Sequence, residues 1–76
     1  MSKMTDGMPD AYFDIERLDD GRFCVQLVGR NSPTRKSYAP HLAAVIGQMV
    51  RARLPVRTQD EELQRICRDR ELELLA

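Results

Sequence analysis

The chain has one histidine, His41, and two cysteines, Cys24 and Cys67, the only side chains that could serve as soft metal ligands or as a thiol–imidazole pair. Zinc sites usually take four ligands with closely spaced pairs such as C-x-x-C, and no such pair occurs. A nucleophilic Cys–His pair stays open on residue type alone. We predict no catalytic residue, no metal and no cofactor, with His41 in the first turn of a helix and both thiols buried.

Four acidic side chains fall close together, on a predicted strand and the turn that follows it: Asp14, Glu16, Asp19 and Asp20. Paired carboxylates can perform general acid–base chemistry or hold a metal ion. A chain of 76 residues has little room for the water-excluding pocket that such chemistry needs. We therefore predict that these acids solubilise the surface.

Charge is segregated along the chain although the formal net charge is zero. Residues 21–59 contain no acid, whereas acids predominate on both sides of this basic segment. Clustered cations can bind phosphates of nucleic acid, or they can pair internally with the flanking acids. Both alternatives stay open, and the predicted partner-binding cations are Arg22, Arg30, Arg35, Lys36, Arg51 and Arg57.

Length and composition predict one small α+β domain over residues 12–76, preceded by a disordered lead-in over residues 1–11. No stretch resembles a signal peptide or a membrane-spanning helix, so we expect no membrane partner. Two cysteines without an export signal favour reduced thiols and a cytoplasmic location.

A β-hairpin is predicted over residues 12–29, because apolar residues alternate on both of its strands. A two-residue turn at Asp20-Gly21 would set acids against the apolar face. A three-residue loop, Asp19-Asp20-Gly21 with Gly21 left-handed, instead pairs Phe13 with Leu27 and Ile15 with Val25. We therefore predict the three-residue loop.

A short third strand, Thr34 to Ala39 with Tyr38 in the core, should complete a meander. A helix from Pro40 to Leu54 should follow, with Pro40 in its first turn and Pro55 ending it. Its apolar residues recur at helical spacing on one face, and Ala44, Gln48 and Arg51 should face water. The predicted buried face comprises Leu42, Val45, Ile46, Met49 and Val50.

A second helix is predicted to start at Thr58, since T-x-x-E from Thr58 to Glu61 matches a capping box, and to run to about Leu75. Leu63, Ile66, Cys67 and Leu74 should form its apolar face. In a helix that continues to Leu75, Leu72 would point away from that face. We therefore predict that Leu72 and Leu75 contact a partner or a second copy. The expected architecture is a three-stranded antiparallel β-meander followed by two α-helices, β-β-β-α-α.

From Tyr12 onward the chain resembles a loose group of small phage and prophage accessory proteins. The similarity lies in the Asp19-Asp20-Gly21 tip, the Ser37-Tyr38-Ala39-Pro40 junction and the two helices that follow. This resemblance implies a host-takeover or regulatory setting and carries over no catalytic residue. The expected function is that of a non-enzymatic interaction protein with a protein partner, such as an inhibitor of anti-CRISPR type.

A second resemblance is to the AP2-like, arm-type DNA-binding domain of tyrosine integrases, through Gly21-Arg22-Phe23 and Arg35-Lys36-Ser37-Tyr38. It implies the alternative function, a DNA-binding module that uses the basic loop and third strand. The chain lacks tryptophan, and Asp14 and Glu16 would lie on the sheet face that should meet DNA.

Overall fold

The computed structural model describes residues 9–75. Four strands and two helices follow one another in the order β1–β2–β3–α1–β4–α2. Their bounds are β1 Ala11–Arg17, β2 Phe23–Gly29, β3 Ser32–Ala39, α1 Leu42–Ala52, β4 Val56–Thr58 and α2 Glu61–Asp69. The predicted α+β class and antiparallel meander are confirmed, but a fourth strand separates the two helices. Most of the predicted lead-in lies outside the described residues, and its last residue, Ala11, begins β1.

The strands form one mixed sheet in the order β3-β2-β1-β4, and both helices pack on one of its faces. Alternate residues of each strand point to that face because the side-chain period of a strand is two. Phe13, Ile15, Phe23 and Val25 therefore share a core with side chains of both helices. The helical contribution comes from Val45 and Met49 of α1 and from Leu63 and Cys67 of α2.

The predicted hairpin register is confirmed. Phe13 pairs with Leu27 and Ile15 with Val25, and Gly21 has φ +91° in the three-residue loop. The Leu18 N–H donates to the Arg22 carbonyl across the loop at 2.8 Å. The alternative register would have turned the apolar side chains to the opposite face.

The third strand is confirmed and is longer than predicted, since it begins at Ser32. The assignment of Tyr38 to the core is wrong: its side chain is 53% exposed, and its neighbour Ala39 is buried instead. Tyr38 pairs with Cys24, and Ala39 pairs with Phe23. Ala39 thus lies on the core face, and Tyr38 lies on the opposite one.

The fourth strand was not predicted. It is three residues long and pairs in parallel with β1, with Val56 opposite Phe13 and Thr58 opposite Ile15. Its outer edge is bridged by Leu74: the Val56 N–H donates to the Glu73 carbonyl, and the Leu75 N–H donates to the Val56 carbonyl. The chain after α2 therefore covers this edge of the sheet.

The central helix is confirmed with shorter bounds. His41 is its N-cap, with Nδ1 accepting from the Ala44 N–H at 3.3 Å, so Pro40 precedes the helix rather than occupying its first turn. Val45 and Met49 are buried as predicted. Val50 is 39% exposed, and Ala44, predicted to face water, packs against the core. The helix ends at a left-handed Arg53, two residues before Pro55.

The start of the second helix was predicted two residues too early. Asp60 is the N-cap, and its Oδ2 accepts from the Leu63 N–H at 3.0 Å. Thr58 instead ends β4, is 9% exposed, and its Oγ1 accepts from the Asp60 N–H at 3.1 Å. Aspartate and threonine are both favoured at this position, and here Asp60 supplies the cap. The T-x-x-E match at Thr58 was therefore a coincidence.

The same helix ends at Asp69, not at Leu75. Glu71 is left-handed at φ 59°, the Glu71 N–H donates to the Arg68 carbonyl, and the Leu72 N–H donates to the Cys67 carbonyl. These bonds form a Schellman turn, which turns the residue after the left-handed one back onto the helix. Leu72 is therefore buried in the core, which overturns its prediction as a partner contact.

Candidate functional site

The second face of the sheet is left uncovered by the helices of residues 9–75. No helix of residues 9–75 packs on it, since the helical core residues all join the strand side chains of the other face. We call this surface the open face. Strand alternation and register assign to it Tyr12, Asp14, Glu16, Cys24, Gln26, Val28, Lys36, Tyr38 and Arg57.

Charges of opposite sign cross the open face in stripes. Lys36 of β3, Gln26 of β2, Asp14 of β1 and Arg57 of β4 are successive partners in one row across the sheet. Neighbouring strands lie about 4.8 Å apart, so Lys36 is about 10 Å from Asp14. The face is consequently basic at its β3 side, acidic at β1 and basic again at β4.

The basic side also presents an aromatic ring. The Arg22 guanidinium lies 5.3 Å from the centroid of the exposed Tyr38 ring, a cation–π distance. Arg22 Nε also donates to Asp20 Oδ2 at 2.7 Å. The Arg22 backbone N–H and guanidinium both donate to this carboxylate, and so they lower the pKa of Asp20. Arg22 is therefore held against Tyr38, and Asp20 partly neutralises it.

The predicted partner-binding cations are not gathered into one patch. Lys36 and Arg57 lie on the open face, at opposite sides of it. Arg35 points to the helix-packed side of β3 yet is exposed, because the helices cover only the end of that strand at Ala39. Arg30 occupies the β2–β3 turn, 3.4 Å from Asp10, and Arg51 is exposed on α1.

The two predicted leucine contacts do not form a surface. Leu72 is 7% exposed and belongs to the core. Leu75 is partly buried and is tied by its N–H to the Val56 carbonyl at 2.9 Å. These two leucines therefore do not form a dimer contact.

An ion-pair cluster that the sequence analysis missed joins β1 to the start of α2. Arg17 Nε donates to Asp60 Oδ1 at 2.7 Å, and Nη2 donates to Glu62 Oε1 at 2.7 Å. The guanidinium also lies 4.8 Å from the centroid of the Phe23 ring. The hydrogen bond from Arg17 is the main reason that the pKa of Asp60 is lowered, and both acids raise the pKa of Arg17.

One signal in the sequence could have pointed to this cluster. Arg17 follows Phe13 and Ile15 at alternate positions, so strand periodicity places a cation on the apolar face. A cation there needs an acidic partner. Which acid it meets is decided only by the fold, since Asp60 is 43 positions away along the chain.

An open cleft of about 760 Å³ lies beside this cluster, at the ends of β1 and β4. Its lining combines carboxylates, guanidiniums and amides: Asp14, Glu16, Arg17, Arg57, Thr58, Gln59, Asp60, Gln64 and the apolar Ile15 and Leu75. Asp60 is ionised near neutral pH because its pKa is lowered, so it is not a proton donor there. The cleft thus offers hydrogen bonds and charge, and no thiol or imidazole.

The histidine and the two cysteines, which could have formed a nucleophilic or metal site, contribute to the fold instead. His41 caps α1, and Cys67 lies in the core, where burial raises the pKa of its thiol. Cys24 is 7% exposed and stands between its partners Tyr38 and Glu16 on the neighbouring strands. Over residues 9–75, no group of three or more His, Cys, Asp or Glu side chains is placed to hold a metal ion.

Neither helix in the described part of the chain is long and apolar enough to cross a bilayer. Comparison with protein-family models, with curated proteins and with solved structures finds no match. The open face and the strand β3 at its edge are the features of residues 9–75 that bear on function.

Proposed function

We propose that the protein is a non-enzymatic interaction protein that binds a protein partner through the open face. The observation that supports this is the one-sided packing of the sheet: both helices cover one face, and the other presents charged and aromatic side chains. Alternating stripes of charge suit a partner of complementary pattern and disfavour one of uniform charge. The striped face therefore favours a protein over a polyanion.

The setting we propose is that of a phage or prophage accessory protein acting in the cytoplasm. Its target would be a host defence or regulatory complex, as for inhibitors of anti-CRISPR type. The resemblance of the hairpin, the Ser37-Tyr38-Ala39-Pro40 junction and the two helices to such proteins supports this setting. Two unpaired, buried cysteines suit a reducing compartment.

A DNA-binding module is the second candidate, favoured by one observation: Arg35 and Lys36 are consecutive exposed residues of β3 and, among residues 9–75, have no ion-pair partner. Against it, Asp14 and Glu16 lie on the open face and would repel phosphates. Titration of a labelled duplex at low and physiological salt separates the two. We expect weak binding that disappears at physiological salt. Micromolar or tighter binding there, reduced by Lys36→Ala, would favour DNA.

Site-specific cross-linking tests the protein-partner proposal directly. A photoreactive amino acid replaces Tyr38 on the open face, and in a control protein it replaces Arg65, which is exposed on α2. Both proteins are irradiated in host lysate, with and without nuclease. We expect a discrete protein adduct from position 38 that persists after nuclease treatment, and none from position 65. Equal adducts from both positions, or loss of the adduct with nuclease, would refute the proposal.

A further inference from the structure

The two edges of the sheet are treated differently by the fold. At the β4 edge, the segment after α2 supplies a bridge at Leu74 and two backbone hydrogen bonds to Val56. At the opposite edge, β3 is the last strand, and no strand of residues 9–75 pairs with its outer side. An unpaired edge presents a row of backbone N–H and C=O groups to which a further strand can add.

The exposure of β3 makes this edge accessible from both faces. Residues 32–38 are all exposed, and only Ala39 is buried, at the end that leads into α1. The strand is eight residues long and pairs with β2 on its inner side, so its backbone is already extended. A strand that adds to it would therefore not have to reorganise it, which lowers the cost of binding.

The charge of the edge specifies what can add to it. Arg35 points to one face and Lys36 to the other, so a strand alongside β3 would meet a cation on each of its faces. No acid occurs in residues 21–59, which include β2, β3 and α1. We propose that the outer edge of β3 binds an extended acidic segment of the partner protein as an additional strand. This inference rests on the proposed function and names the binding mode.

A second copy of the chain is a poor occupant of this edge. If two copies of β3 paired antiparallel about their centres, Arg35 of each copy would lie opposite Lys36 of the other. Like charges directly opposite each other destabilise a strand pair. The same cations also discourage neutral strands from adding to the edge. The edge is thus selective for acidic strands.

Synthetic peptides of the same eight-residue length as β3 test the mode of binding. One repeats Val-Val-Glu-Glu, which puts glutamates on both faces of the strand. A second replaces each glutamate by lysine, and a third keeps the glutamates but has N-methyl groups on successive amides, so that both of its edges lose donors. The N-methyl groups remove the donors that a strand needs. We expect binding of the first peptide only, with slower hydrogen exchange at β3 amides. Binding should weaken about tenfold in Arg35→Glu and in Lys36→Glu, since each sets like charges together.

Arg65→Glu is the matched control, because Arg65 is also exposed but lies on α2, which packs next to β4 at the other side of the sheet. It should bind the acidic peptide as the wild type does. Equal binding of the N-methylated peptide, equal weakening by Arg65→Glu, or no binding of any peptide would overturn the strand proposal, as would displacement of the peptide by duplex DNA.

The cross-linking experiment keeps the two proposals separate. A nuclease-resistant protein adduct from position 38, combined with no peptide binding at β3, would refute the edge strand while the interaction function stands. Peptide binding at β3 without any adduct in lysate would support the edge and refute the proposed partner. Self-association of the chain that Lys36→Glu strengthens, measured by sedimentation, would instead show that a second copy occupies the edge.

Discussion

Replacement of Leu72 by alanine tests its burial in the core, since the sequence pattern predicted a partner contact at this position. In the structure, Leu72 is 7% exposed and follows the Schellman turn at Glu71 into the core. Leu→Ala substitutions in cores cost about 2–5 kcal/mol, because transfer energy is lost and a cavity remains. Leu72 keeps a small exposed fraction of 7%, so its site is not fully enclosed and we expect a loss at the lower end of this range, about 2–3 kcal/mol.

Such a loss is large for this domain. At about 0.05–0.15 kcal/mol per residue, a chain of 76 residues has a free energy of unfolding of about 4–11 kcal/mol. For domains of this size each kcal/mol shifts the melting temperature by about 4–8 °C. Leu72→Ala should therefore lower it by about 8–24 °C. Urea unfolding and thermal melting followed by circular dichroism measure both quantities.

Hydrogen exchange gives a local readout of the same substitution. Leu72 anchors the segment whose Glu73 carbonyl accepts from the Val56 N–H at 2.8 Å. Loss of the anchor should free this segment, and the Val56 amide should exchange faster, beyond the change expected from global stability. Val50→Ala is the control, since Val50 is 39% exposed on α1 and should change stability by no more than about 0.5 kcal/mol. A loss below about 0.5 kcal/mol in Leu72→Ala, with unchanged exchange at Val56, would refute the core assignment.

Substitutions at three further positions test the backbone and the helix start. Gly21→Val should cost about 1–3 kcal/mol, because a β-branched residue resists φ +91°, and an unchanged melting temperature would contradict this. Gly47→Ala should stabilise by about 1 kcal/mol, since an added Cβ meets no atom within 4 Å in mid-helix; a lower melting temperature would show that the site is crowded. Asp60→Ala should cost about 0.5–2 kcal/mol through loss of the cap, whereas Asp60→Asn keeps a capping oxygen; equal losses would show that the cap contributes nothing. Arg17 lowers the pKa of folded Asp60, so on acidification below about pH 4 the unfolded state takes up this proton first and stability falls; Asp60→Asn should flatten that part of the acid unfolding curve.

Sequence pattern alone was sufficient for the features that depend on local periodicity. The hairpin register follows from alternation, because a slip by one residue would bury Asp14 and Glu16 in place of Phe13 and Ile15. The central helix follows from a 3.6-residue repeat bounded by two prolines, and its buried positions Val45 and Met49 were predicted. In each case the local alternatives differ in how much apolar surface they bury, so the pattern selects one of them.

The tertiary structure alone decided the features that depend on pairing between distant segments. β4 has three residues and no periodicity of its own, and it is a strand only because Phe13 and Ile15 of β1 lie beside it. Tyr38 and Ala39 are neighbours on β3. Ala39 faces the core because it pairs with Phe23, a buried residue of β2. Leu72 is buried because the helix stops at Asp69 and the chain reverses, which a projection that continues the helix cannot anticipate. Periodicity reports which side chains share a face, whereas the end of an element and its partner depend on contacts that form only when the whole chain has folded.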